Sequence, residues 1–143
     1  MTVGRCCASI PAAVAWCAGS RCHRSRTASH SVGLVWVALY HESAIVRVDP
    51  RVNRILGPPI RAGFPTELLA SAGGHLWAIP SVGGSLADPQ LHTVLEIDAR
   101  SGRIVRSYRT RGRPRDVVEA GNTAWVATTE PNELVSFSGS VTR

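Results

Sequence analysis

The chain has 143 residues, enough for one domain with a sizeable core, and its 44% apolar and 18% charged composition excludes a disordered polyelectrolyte. No stretch approaches 18 consecutive apolar residues, so the sequence predicts no membrane span. All 16 basic residues are arginine, and they exceed the 10 acidic residues to give a net charge of +6. Residues 1–30 carry four of these arginines and no acid, which leaves only +2 for residues 31–143. A body so close to neutral disfavours a nucleic-acid partner, and we expect none.

Residues 1–30 contain all four cysteines and show no strand-like alternation. The mostly apolar segment 8–16 is compatible with a poor signal peptide, which slightly favours a secreted or periplasmic location. Alternatively, the stretch is an unstructured leader, or upstream sequence translated from a wrong start. The cysteines could supply metal ligands with His23 and His30, but the spacing Cys17-x4-Cys22 is looser than that of zinc motifs. We predict no fold, metal or cofactor for this segment.

An internal repeat organises residues 31–143. A tryptophan recurs inside a short apolar strand, then an alternating strand ends in aspartate, and a Gly-x-Pro step begins fourteen residues after each aspartate. The landmarks are Trp36, Trp77 and Trp125, then Asp49 and Asp98, then Gly63-Phe64-Pro65 and Gly112-Arg113-Pro114. Several landmarks in one order at matched spacing indicate a true repeat.

The length of the repeat predicts an all-β fold. Asp49 and Asp98 are 49 residues apart, and Trp36 and Trp77 are 41 apart. This spacing is the size of a four-stranded antiparallel propeller blade. Apolar positions alternate with period two, and Gly and Pro recur too often for helices. We expect a partial blade over residues 31–65 that lacks its innermost strand, a complete blade over 66–115, and a partial blade over 116–143. Such an incomplete ring predicts a truncated piece of a longer propeller, or self-association through open blade edges.

The repeated residues are expected to be structural. The tryptophans should pack between adjacent blades, because a tryptophan buries a large area. The aspartates should accept backbone N–H bonds in the turns that follow them. The Gly and Pro residues of the two Gly-x-Pro steps should set the backbone angles of the links between blades.

The motifs VWVA, IVRVDP, RILGPPI and GFP, repeated as LWAI, VLEIDA, RIVRSYR and GRP, resemble YVTN-type or YncE-like β-propeller repeats. This resemblance implies a propeller fold and leaves the activity open, since such propellers include binding modules, enzyme scaffolds and sensor domains. Streptogramin (virginiamycin B) lyases have related blades and use His and Glu with a divalent cation. In this sequence, the residues that could form a similar site are His41, Glu42 and His92.

Strand connectivity predicts one loop-rich face, formed by the loops between blades and those between the second and third strands of each blade. The insertion between Pro80 and Leu91 lies on this face and is the strongest candidate for a specialised element. The candidate ligand-binding residues of this face are Tyr40, His41, Glu42, His92, Arg111, Arg113 and Arg115.

The arginines of this face have two interpretations. Guanidinium groups bind carboxylate or phosphate, which favours an anion site. Charges along an outer strand also prevent sheets from pairing edge to edge, which favours a protective role. We predict a non-catalytic module that binds a protein or a small molecule, with a lyase-like enzyme as the alternative.

Overall fold

The computed structural model describes residues 25–31, 33–72, 74–81, 88–121 and 123–138, which form three antiparallel sheets. Blade 1 comprises β1 (Ser25–Ser31), β2 (Leu34–Leu39), β3 (Ala44–Asp49), β4 (Arg54–Ile55) and β5 (Ile60–Arg61). Blade 2 comprises β6 (Thr66–Ala72), β7 (His75–Pro80), β8 (Thr93–Asp98) and β9 (Ile104–Arg109). Blade 3 comprises β10 (Arg113–Ala120), β11 (Thr123–Thr129) and β12 (Glu133–Ser138). Short 3₁₀ helices cover Tyr40–Glu42 and Pro89–His92. The expected all-β, blade-like architecture is confirmed.

The first blade begins earlier than the sequence predicts. The strand Ser25–Ser31 pairs antiparallel with β2 and supplies the innermost strand that was expected to be missing. Its small and polar residues lack the apolar alternation by which strands are recognised, and this conceals it in the sequence. Residues 1–24, with all four cysteines, lie outside the described residues.

The outer strand of blade 1 is split. The sequence predicts one strand from Ile55 to Arg61, but β4 and β5 pair with opposite ends of β3, and residues 56–59 interrupt the ladder. Pro58 and Pro59 lie in this gap. Proline has no N–H to donate to a ladder, so the two prolines account for the interruption.

Two apolar clusters join the blades. The cluster between blades 1 and 2 includes Trp36, Ile45, Leu76 and Ile97, and all four are fully buried. The cluster between blades 2 and 3 surrounds Trp77, which is 1% exposed. Blade 2 thus has both faces covered, and all six residues of β7 are buried.

Blade 3 has one covered face and one open face. Buried and exposed residues alternate along β11, with Ala124 and Val126 buried and Trp125 41% exposed. The third tryptophan therefore departs from the expected burial between blades. In blades 1 and 2 the equivalent face of the sheet, which carries Trp36 or Trp77, is covered by the next blade.

The aspartates of the repeat cap their turns. The Asp49 carboxylate accepts the Arg51 N–H at 2.8 Å, and that of Asp98 accepts the Arg100 and Ser101 N–H groups at 3.1 and 2.5 Å. These hydrogen bonds, chiefly the one from Ser101, lower the pKa of Asp98 below its usual 3.8.

Arg47 pins blade 1 to blade 2 at these turns. Its guanidinium lies 5.8 Å from the centre of the Trp36 ring and donates to the backbone carbonyls of Arg100 and Ser101 at 3.4 and 3.2 Å. A Cβ at Gly102, where φ is +71°, would lie 2.9 Å from this guanidinium. The turn therefore needs glycine for its backbone angle, and the arginine packs directly on it.

Candidate functional site

The loop-rich face is built from the 3₁₀ helix after β2 and from the links between blades. Tyr40 and His41 form an edge-to-face ring pair with centroids 5.3 Å apart, and Glu42 is half-buried beside them. The Tyr40 hydroxyl donates to the Ser81 hydroxyl oxygen at 3.2 Å, which joins blade 1 to the residue that follows β7. This contact holds the start of the predicted insertion, whose residues 82–87 lie outside the described part of the chain.

His92 ends the second 3₁₀ helix and anchors the link to blade 3 through its backbone. Its carbonyl accepts the Thr110 N–H at 2.9 Å and the Thr110 hydroxyl at 3.1 Å. Asp88 caps the start of this helix, and its carboxylate accepts the Gln90 N–H at 2.9 Å. The backbone of His92 therefore has a structural role, while its side chain is half-exposed.

Two of the predicted arginines pair with glutamates at the turn between β11 and β12 and at the start of β12. Arg111 lies 3.3 Å from Glu133, and the Arg113 Nε lies 3.7 Å from Glu130. The side chain of Arg111 is 83% exposed, so its pair contributes little to stability. Both positive charges are nevertheless partly neutralised, and this weakens the expected anion cluster at these two residues.

The two Gly-x-Pro steps do not occupy equivalent positions. Counted from the residues that pair with Trp77 and Trp125, Gly63 lies seven residues upstream in blade 2 and Gly112 six upstream in blade 3. Gly63 has a φ of +83°, whereas a Cβ at Gly112 would lie 2.5 Å from the Pro131 carbonyl oxygen. The first glycine is needed for its backbone angle and the second for close packing against the β11–β12 turn.

A cleft of about 210 Å³ opens between the inner strands of blades 2 and 3, at the loop-rich end. Arg115 and Glu67 line it together with four apolar residues, Leu68, Ile79, Pro80 and Pro114. Arg115 is exposed and has no ion-pair partner within the part of the chain that the structure describes. The cleft therefore offers an available guanidinium beside an apolar wall.

Matching β-bulges create this arrangement. The pairing of β6 with β7 shifts at Glu67, and the pairing of β10 with β11 shifts at Arg115. Each residue lies three positions before the partner of its blade's tryptophan, so the two are repeat-equivalent. A β-bulge changes the direction of a side chain that would otherwise follow the alternation of the strand. The innermost strands of blades 2 and 3 therefore present opposite charges to one cleft.

A buried polar trio lies beneath the same blade interface. Glu96 is fully buried, accepts the Tyr108 hydroxyl at 2.7 Å and lies 3.6 Å from the His75 Nε2. Burial and the bond to Glu96 raise the pKa of Tyr108 above 10.0. The Tyr108 ring also packs on Phe137 of blade 3 with centroids 4.3 Å apart. Because Glu96 is inaccessible, we assign this trio to blade packing.

Of the predicted site residues, only Arg115 lines the cleft. Tyr40 donates to Ser81, the residue after the cleft-lining Pro80, while Arg111 and Arg113 belong to the ion pairs of blade 3. Sequence reasoning missed Glu67, because it stood inside a predicted strand. A glutamate within the apolar segment TELLA was the available signal.

The metal-dependent alternative requires His41, Glu42 and His92 to converge. Within residues 25–138, so far as they are described, no three His, Cys, Asp or Glu side chains form a group that could hold a metal ion. The same described residues contain no helix long and apolar enough to cross a membrane.

No protein family and no curated protein matches the sequence. Among solved structures, the chain is similar to the extracellular domain of the one-component system protein BT4673 from B. thetaiotaomicron, with a TM-score of 0.60 and 19% identity over 83% of this chain. It is also similar to virginiamycin B lyase from Staphylococcus aureus, with a TM-score of 0.52 and 14% identity over 81% of this chain. The chain spans 16% and 41% of the lengths of these two proteins. At such identities the likeness shows a β-propeller-like fold alone.

Proposed function

We propose that the chain is a non-catalytic β-propeller module that binds a small ligand in the cleft between blades 2 and 3. The observation that carries this proposal is the pair of equivalent bulges that present Arg115 and Glu67 to one apolar cleft. Ligand sites are typically concave and mostly apolar, with a few polar groups that fix orientation.

The lining indicates the chemistry of the ligand. Arg115 favours a carboxylate or a phosphate, which a guanidinium grips with two parallel hydrogen bonds. Leu68, Ile79, Pro80 and Pro114 favour a compact branched apolar body. Glu67, on the opposing strand, lines the other side of the cleft.

Titration of the full chain with two probes tests this proposal. The first probe is 4-methylpentanoate, which has a carboxylate and a branched apolar body, and the second is leucine, which adds an ammonium group. We expect both to shift the amide resonances of β6 and β10. Arg115→Gln should abolish the shifts, while Arg111→Gln, which removes an exposed arginine already paired with Glu133, should preserve them.

Three outcomes would contradict the proposal. These are the absence of binding by either probe, equal losses for Arg115→Gln and Arg111→Gln, and resonance shifts confined to residues far from the cleft. Each variant should first be shown to retain the far-UV circular dichroism of the parent.

The repeat pattern supports assignment of the blades to the YVTN or YncE-like group, because the Trp and Asp landmarks fall at the strand and turn positions typical of it. We also propose an extracytoplasmic location, supported by the poor signal-like segment and by a structural neighbour that is an extracellular domain. The partner is a small molecule or a protein, with no nucleic acid involved.

The alternative is a lyase-like enzyme. It rests on the likeness of this fold to virginiamycin B lyase and on His41, Glu42 and His92. Cleavage of a streptogramin B substrate that depends on a divalent cation, and that is lost in His92→Ala, would favour the enzyme over the binding module.

A further inference from the structure

The outer strands of blades 1 and 2 differ in continuity. In blade 1, Pro58 and Pro59 lie in the gap between two strands of two residues each. In blade 2, β9 runs without proline over six residues and pairs on one side with β8. No strand in the described part of the chain pairs with its other side. The outer edge of β9 therefore presents unpaired backbone N–H and C=O groups.

This edge is accessible, and its register is regular over most of the strand. All residues of β9 except Tyr108 are exposed, with Ile104 and Val105 each 42% exposed. Residues 106–109 pair with β8 in unbroken register, and the register shift of this pair falls at Val105. An added strand would thus find a regular edge beside two exposed apolar side chains.

The chain around β9 is strongly basic. Residues 99–115 contain seven arginines and no acidic residue. The arginines are Arg100, Arg103, Arg106, Arg109, Arg111, Arg113 and Arg115. Two of them pair with glutamates of blade 3. Arg100, Arg103 and Arg109 are exposed and form no ion pair with any residue that the structure describes. These three positive charges are therefore available to a partner.

The charges decide which kind of strand can pair with β9. A second copy of β9 would place arginines beside arginines, which disfavours pairing of the strand with itself. An acidic segment would instead place carboxylates beside guanidinium groups. Arg106 and Arg109 are three positions apart in the strand, so they lie on opposite surfaces of the sheet. Acidic side chains on both surfaces of an added strand would therefore meet a positive charge.

We propose that the outer edge of β9 binds an extended acidic segment of a partner protein, which joins blade 2 as a fifth strand. In such strand addition, main-chain hydrogen bonds provide the affinity and side chains provide the specificity. Here the exposed Ile104 and Val105 contact apolar side chains of the segment, and the arginines select its acidic residues. This edge is separate from the cleft between blades 2 and 3 and does not depend on the ligand proposed for that cleft.

Titration of the isotope-labelled full chain with a synthetic peptide tests the proposal. The probe is a peptide of about eight residues in which glutamate and valine alternate, added up to about 1 mM. We expect it to shift the amide resonances of β9 more than those of β4 and β5, and to slow hydrogen exchange at the β9 amides that face outward. A peptide with lysine in place of glutamate should not bind. The acidic peptide N-methylated at every residue keeps its charge but has no N–H to donate, so it should not bind either.

A double variant with a matched control locates the site. Arg103→Gln combined with Arg109→Gln removes two exposed charges beside the added strand and should raise the dissociation constant of the acidic peptide about 5-fold or more. The control combines Arg51→Gln with Arg54→Gln, which removes two exposed arginines near the outer strand of blade 1. At ~0.15 M salt this control should bind the peptide like the parent, because distant surface charges are screened.

The proposal is overturned if the acidic peptide does not bind, or if the lysine peptide or the N-methylated peptide binds as tightly. It is overturned equally if the two double variants bind the acidic peptide alike. The peptide controls use the parent protein alone, so they test the proposal even if a variant fails to fold.

Discussion

The tryptophans of blades 2 and 3 allow one substitution to be compared in two environments. Trp77 and Trp125 occupy the same position of the repeat, and each lies in the central part of a second strand. Trp77 is 1% exposed between two sheets, whereas Trp125 is 41% exposed on an open face. We predict that Trp77→Ala destabilises the protein far more than Trp125→Ala.

The magnitude follows from the burial of each ring. A buried aromatic side chain removes ~150–250 Å² from water, which at ~25 cal/mol per Å² contributes about 4–6 kcal/mol. Measured Trp→Ala losses in protein cores are ~3–5 kcal/mol, so we expect about 4 kcal/mol for Trp77. Trp125 has no layer above it and leaves no enclosed cavity, so its truncation should cost about 1–2 kcal/mol.

Urea unfolding of the full chain, followed by circular dichroism at low protein concentration, measures both losses without self-association. With a slope of ~2 kcal/mol per M, the two midpoints should differ by about 1 M or more. Equal midpoints for the two variants would refute the reasoning, because they would mean that blade 3 does not pack on Trp77. A change of slope in either variant would indicate loss of two-state unfolding and would require a second probe.

Three further predictions concern single side chains. Tyr108→Phe removes the hydroxyl that donates to the fully buried Glu96 and should lower the free energy of unfolding by about 2 kcal/mol. The same substitution made in the Glu96→Gln background should cost less. Folding lowers the pKa of Asp98 from 3.8, so its stabilising contribution is complete above that value and is lost as the pH falls through the lower folded value. This contribution is small because the group is mostly exposed. Between about pH 6 and pH 3, the free energy of unfolding should depend less steeply on pH in Asp98→Asn than in the parent. Identical pH profiles would contradict the capping role. Gly102→Ala and Gly74→Ala should each cost about 1 kcal/mol or more, because both residues have a positive φ at which a side chain is strained. Urea midpoints equal to that of the parent would contradict this argument.

The repeat predicts the fold well because it is a local signal. Alternating β-branched residues indicate β2, β3, β7 and β8, and the spacing of the landmarks indicates how many sheets they form. Strand β1 was not predicted because its serine, threonine and histidine residues carry no apolar alternation, although it pairs antiparallel with β2, with one register shift between Ser25 and Ala28.

The candidate site was harder to predict, because it depends on register and on neighbouring blades. Glu67 and Arg115 line the same cleft because each strand shifts its pairing by one residue there, and no residue type predicts such a bulge. Trp125 has the same local sequence pattern as Trp77, yet it is exposed because burial is decided by what packs on the strand. The sequence does not reveal that Arg111 is paired, because its partner Glu133 lies 22 residues later. For this reason Arg111 was predicted as an anion ligand.

The gap in the outer strand of blade 1 has a consequence for aggregation. A continuous outer strand would present a row of N–H and C=O groups on which an extended segment of another chain could grow as a further strand. Residues 56–59, with Pro58 and Pro59, divide that row into two lengths of two residues each. Each length is far shorter than the six or seven residues typical of an amyloid spine. In a protein that exposes an apolar face at one end, this edge of blade 1 is poorly suited to nucleate a fibril.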